Sequence, residues 1–183
     1  MPDTTPSETG FAPVNGLQLY YESVGQGSPP LILLHGGFGS TATMSHLPPR
    51  LGVRRVISVD QCRVPLLPAH PAVRGPRRRR THPEEFPQLM DKMGDLLRRE
   101  YDWSGEVGDL TMPLLLVGGG ADSFPVSALA EFFALLGGSQ GDSGWDGSGP
   151  TTSSRLAVLP GATHHDILGS AGLPGVVTAF LDG

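Results

Sequence analysis

The sequence predicts an α/β fold, a mostly parallel sheet covered by helices on both faces, within a single domain spanning residues 1–183. Three observations carry that prediction. Short continuous apolar runs bounded by Pro and Gly read as strands buried on both faces. Between them lie segments whose apolar residues recur every three or four positions, the spacing of an amphipathic helix. Strands that alternate with helices are joined by crossovers, and crossovers make neighbouring strands parallel. Composition allows such a core, since 38% of the 183 residues are hydrophobic and only 17% are charged, a balance suited to one globular domain.

Taken in order, LQLYYESVG (17–25) alternates as a strand and runs into Gly-x-Gly. PPLILLHGG (29–37) is a continuous apolar run and predicts a strand buried on both faces, as does RRVISVD (54–60), which ends on an acid. Phe86, Leu89, Met90, Met93, Leu96, Leu97 and Tyr101 recur at helical spacing. Pro87 fits only a first turn, so that helix is expected to begin close to Glu84. MPLLLVGGGAD (112–122) predicts a further strand entering a Gly-rich turn, and SALAEFFALLGG (127–138) a helix closed by glycine. A Gly/Ser-rich loop without periodicity follows over 137–154. RLAVLPG (155–161) is the last strand, and GLPGVVTAFLDG finishes the chain as a short helix.

Charge and cysteine content narrow the setting. A net charge of -5 gives no general reason to expect nucleic acid or an anionic membrane as partner. Cys62 is the single cysteine, so no intrachain disulfide can form, and a reducing compartment is expected. MPDTTPSETG lacks the basic and apolar regions of a secretory signal, and no apolar run approaches the ~18 residues that span a bilayer. These features predict a soluble cytoplasmic protein.

Three strand ends carry candidate chemistry. His35-Gly36-Gly37-Phe38-Gly39-Ser40 follows an apolar strand, and glycines there let backbone N–H groups face a ligand, as an oxyanion turn requires. An ordinary strand-to-helix turn reads equally well. Asp122 stands where a strand stops; Asp-Ser-Phe-Pro also reads as a helix start, with Asp122 as its N-cap. His164 and His165 follow the last strand, and an imidazole there, with an acid on a neighbouring strand end, fits an acid–base pair.

In this order the motifs resemble the α/β-hydrolase family, esterase- and lipase-like members included. LQLYYESVGQGSPPLILLHGGFGS is similar to the family's opening, MPLLLVGGGADSFP to the segment bearing its catalytic acid, and RLAVLPGATHHDIL to that bearing its catalytic histidine. The resemblance covers residues 11–60 and 84–183. It implies an oxyanion hole at Gly37 and Phe38, a catalytic acid at Asp122 and a base at His164, which directly follows the family's Gly-x-Thr. It implies small ester-like substrates and neither cofactor nor metal.

The family also requires a strand turning sharply into a helix at Gly-x-Ser-x-Gly, the serine being the nucleophile. Between Asp60 and Glu84 stands instead a Pro- and Arg-rich stretch (61–83) with no such strand. The resemblance therefore implies an internal deletion of the nucleophile elbow, an incomplete central sheet and lid, weak or absent turnover, and self-association through the exposed sheet edge. A frame-shifted join is an alternative origin for the stretch. Gly137-Gly138-Ser139-Gln140-Gly141 matches the motif letter for letter but is expected after a helix and follows Asp122 in the chain, as does Ser143. Cys62 precedes Asp122 and His164 but lacks flanking glycines. Arg77 to Arg80, with Arg63 and Arg74, could bind phosphate, yet no aromatic is interleaved, which argues against nucleic acid. The competing reading is a non-catalytic binding or interaction protein using the pocket or the Arg77–Arg80 loop.

Overall fold

The computed structural model describes residues 8–36, 39–51, 54–60 and 86–183. The stretch 61–83, with Cys62 and all six of its arginines, lies outside the described residues. The chain divides into two compact units, residues 1–100 and 101–183.

The first unit opens with a hairpin of β1 (Glu8–Val14) and β2 (Leu17–Val24), antiparallel in the register Val14↔Leu17 to Glu8↔Ser23. Asn15 and Gly16 turn it with φ of 50° and 78°, the left-handed pair that matches strand twist in a two-residue hairpin. Phe11 and Tyr20, directly opposite, pack edge to face at 5.5 Å. The chain then forms β3 (Leu31–Leu34), crosses over through the short helix α1 (Thr41–Met44), and returns as β4 (Val56–Val59).

The resulting sheet has the order β1-β2-β4-β3, with β3 and β4 parallel and the other pairings antiparallel. This corrects the expectation of a mostly parallel sheet: the sheet is mixed, within a fold of mixed α/β content. The short connection from β2 to β3 reverses the chain, so β4, parallel to β3, meets β2 head to tail.

β4 is an inner strand buried on one face, with Val56 at 1% and Ser58 at 4% exposure, while Ile57 and Val59 on the other face are half-buried, short of the expected burial on both faces. Met44, Leu47, Pro48 and Leu51 are also buried among the described residues of this unit. β3 departs from expectation, because Ile32 and Leu34 are 58% and 63% exposed on the end strand of the sheet. The helix predicted near Glu84 is α2 (Phe86–Leu97), with Pro87 in its first turn. Its apolar stripe is largely uncovered, Met90, Leu96 and Leu97 all being exposed.

The second unit begins with α3 (Ser104–Gly108), followed by β5 (Leu115–Gly119), α4 (Val126–Leu135), β6 (Arg155–Leu159) and α5 (Leu173–Leu181). β5 and β6 pair in parallel from Leu115↔Arg155 to Gly119↔Leu159, so they end side by side. The stretch between α4 and β6 contains turns but no helix or strand. Its end is tied down: the Thr152 hydroxyl donates to Leu136 O at 2.8 Å, and Leu114 N–H donates to the buried Ser154 hydroxyl at 3.1 Å. α5 is fixed to β6 by Arg155, whose guanidinium donates to Ala179 O at 2.8 Å and lies 5.8 Å from the centre of the Phe180 ring. Among the described residues no helix is long and apolar enough to cross a membrane.

Candidate functional site

The parallel pairing of β5 and β6 brings their carboxyl ends together, which is where open α/β sheets carry their chemistry. After β5 the chain turns through Gly120 and Ala121 to Asp122, whose N–H donates to Gly119 O at 3.3 Å. Asp122 is not the N-cap of α4, the role its setting in Asp-Ser-Phe-Pro also allowed, since Pro125 occupies that position. Its carboxylate instead folds over its own turn, with Oδ1 accepting the Phe124 N–H at 2.9 Å and the Ser123 hydroxyl at 3.4 Å. The Asp122 side chain is only 7% exposed. The Phe124 N–H is the main reason its carboxyl is held below the usual carboxylate range; burial opposes this, and His164 and Ser123 reinforce it.

After β6 the chain turns at Pro160 and Gly161. Ala162 O accepts the Ala121 N–H at 2.9 Å, while Gly120 N–H donates to Leu159 O at 2.8 Å. The two turns cross so closely at Gly119 that a Cβ there would collide with Ala162 O. Close contact at the strand ends therefore depends on glycine at this position.

Two residues beyond Ala162, His164 places Nδ1 3.3 Å from Asp122 Oδ1. Its side chain is 67% exposed, and ring geometry leaves Nε2 on the side away from the carboxylate. His165 stands edge to face against His164 at 5.9 Å. The structure thus brings Asp122 and His164 within 3.3 Å of each other, both within residues 101–183.

Of the other predicted positions, Gly37 and Phe38 lie outside the described residues. Beside them Gly39 N–H donates to Gly36 O at 2.9 Å, and His35 Nδ1 is 2.8 Å from Gly36 O. Asp60 at the end of β4 has a structural task, its Oδ1 accepting the Thr41 N–H at the start of α1 at 2.6 Å. Ser139 follows helix α4 at a φ of 55°, and the Ser143 hydroxyl donates to Pro150 O at 3.2 Å. Neither serine sits on a strand-to-helix turn. No group of three or more His, Cys, Asp or Glu side chains able to hold a metal occurs among the described residues.

One residue near the site was not singled out from the sequence. Asp166 Oδ1 accepts the Thr163 N–H at 2.6 Å, and its signal was Thr-x-x-Asp ahead of Ile167 and Leu168, the pattern of a capping box.

No family model matches the chain, and no curated protein matches it significantly. Among solved structures the chain is similar to a predicted CIB-like hydrolase from Thermoplasma acidophilum, with a TM-score of 0.56 and 14% identity over 95% of this chain and 97% of that one. At that identity the likeness concerns the fold, which is hydrolase-like.

Proposed function

We propose that the protein is an α/β-hydrolase by lineage that retains the acid–base half of an ester-hydrolysing site and turns over small ester-like substrates weakly or not at all. The observation that carries this reading is the Asp122–His164 pair, Nδ1 to Oδ1 at 3.3 Å, on the ends of adjacent parallel strands. Asp122 holds the imidazole with Nδ1–H toward its carboxylate, leaving Nε2 as the base. In a complete site a serine hydroxyl would attack the carbonyl carbon, Nε2 would take its proton, and backbone N–H groups would hold the oxyanion. Gly37 and Phe38 enter as those donors through the family resemblance alone.

Neither Ser139 nor Ser143 lies on a strand-to-helix turn, so on this reading His164 acts on water. It takes a proton as water adds to the carbonyl and returns it to the departing alkoxide. General-base action of this kind accelerates reactions by about 10²–10⁴-fold, whereas loss of the nucleophile from a complete triad costs about 10⁶-fold in kcat.

The test treats the folded chain with a fluorophosphonate probe, followed by intact-mass analysis, and assays p-nitrophenyl acetate hydrolysis in parallel. No stoichiometric serine adduct is expected, together with a slow hydrolysis lowered at least about tenfold by His164→Ala. A single full adduct on one serine, abolished by His164→Ala, would show a recruited nucleophile and end the weak-turnover reading. Equal ester hydrolysis by wild type and His164→Ala would favour the second reading, a non-catalytic binding protein, which the placement of Ser139 after a helix already supports.

A further inference from the structure

We propose that Asp166 is a positioning residue: by accepting the Thr163 N–H, its carboxylate closes a turn that aims His164, rather than His165, at Asp122. The inference rests on the Asp122–His164 reading above and adds how one of two adjacent histidines is selected.

The segment carrying both histidines is pinned on either side. Upstream, Ala162 O accepts the Ala121 N–H at 2.9 Å, beside the close crossing at Gly119. Downstream, the Asp166 carboxylate accepts the Thr163 N–H at 2.6 Å, and Thr163 O accepts the Ile167 N–H at 3.0 Å. Residues 163–167 are thereby one closed helical turn, continued as a 3-10 turn over Ile167–Gly169.

Successive side chains on a helical turn diverge by roughly 100°. Once this turn is locked with His164 toward Asp122, His165 cannot face the same carboxylate. The short contact to Asp122 belongs to His164, and His165 packs edge to face against that ring instead. Gly161, with its φ of +69°, lies just upstream; without the Thr163–Asp166 bond, rotation of the turn would let either imidazole approach Asp122. Asp122, Asp166 and His165 are the titratable groups in contact with His164 or its turn.

The experiment is long-range ¹H–¹⁵N spectroscopy of the histidine rings in the full chain, which reports each ring's tautomer. An imidazole donating Nδ1–H to a carboxylate is held in the Nδ1–H form. In wild type His164 is expected mainly as Nδ1–H. Asp166→Ala is expected to lower that fraction at least about twofold, the low end of what a lost cap does to a local equilibrium. Asp166→Asn is expected to preserve it, because the amide oxygen accepts the same Thr163 N–H.

An unchanged His164 tautomer in folded Asp166→Ala would overturn the proposal while leaving the Asp122–His164 pair intact. A wild-type His164 without the Nδ1–H form would instead sink the pair itself, and Asp166 would have nothing to position. A wild-type measurement stands apart from any variant: the Thr163 amide is expected to exchange with solvent at least about tenfold more slowly than an unbonded amide. Exchange at the unbonded rate would overturn the proposal even if Asp166→Ala failed to fold.

Discussion

At Gly119 a Cβ atom would sit inside contact distance of the Ala162 carbonyl oxygen, so the approach of the Asp122 turn to the His164 turn is set by a missing methyl group. Backbone can yield to such a collision only by moving the strand ends apart. Gly119→Ala is therefore expected to cost about 1–3 kcal/mol, read as a lower urea midpoint, and to lengthen the Asp122–His164 contact. Asp122 offers a second test, through pH. Its folded-state pKa lies below the ordinary value of 3.8, chiefly through the Phe124 N–H. The stability it contributes is therefore complete above the unfolded value and fades as pH falls through the lower folded value. In urea midpoints measured against pH, Asp122→Asn is expected to be less stable than wild type at neutral pH, with the gap closing below about 3.8. A gap that persists unchanged into acid would show that the carboxylate's charge is not what stabilises this turn. Asp122 and His164 were legible as candidates, because acids and histidines just beyond strands are conspicuous in a sequence. Asp166 was less so, since its part is played through a backbone N–H three residues away.

Among the elements, buried strands and strongly periodic helices were the easiest to read. β2, β4, β5, β6, α2 and α5 all fall within the stretches their patterns predict, and α4 begins one residue ahead of its own. The unread elements have identifiable causes. β1 contains Gly10 and Pro13, which weaken any strand reading, but it lies at the sheet edge, where proline is tolerated. The Asn15-Gly16 turn that pairs it with β2 was the available signal. Gly16→Val, forced into a φ of 78°, is expected to destabilise the hairpin by about 1 kcal/mol or more, seen as a lower urea midpoint. A neutral result would mean that the turn relaxes without the hairpin losing register. α1 and α3 are too short to show periodicity. The expectation that β3 is buried on both faces failed because a continuous apolar run records only that a strand has a hydrophobic surface. Whether a neighbour covers that surface is decided elsewhere in the chain.

For the molecule as a whole, the consequence of β3 is an edge of four apolar residues, Leu31–Leu34, with no charge or proline among them. Leu31 N–H points to β4, donating to Arg55 O at 2.8 Å, so alternation turns the backbone groups of Ile32 and Leu34 to the outer edge of the sheet. Exposed edges of this kind favour self-association. Wild type is expected to show concentration-dependent growth in sedimentation velocity, and Leu34→Lys to reduce it by placing a charge on the edge. Identical profiles for the two would remove this edge as the cause. The sequence by itself determined the α/β alternation, where the strands lie, and Asp122 and His164 as the residues worth watching, because periodicity and strand-end chemistry are local properties. Tertiary structure alone decided that β4 inserts antiparallel beside β2, that β3 ends its sheet, and that Asp122 and His164 meet at 3.3 Å. Those outcomes depend on strand order, on the close crossing at Gly119 and on the Thr163–Asp166 turn, and these are relations between residues that no single stretch of sequence contains.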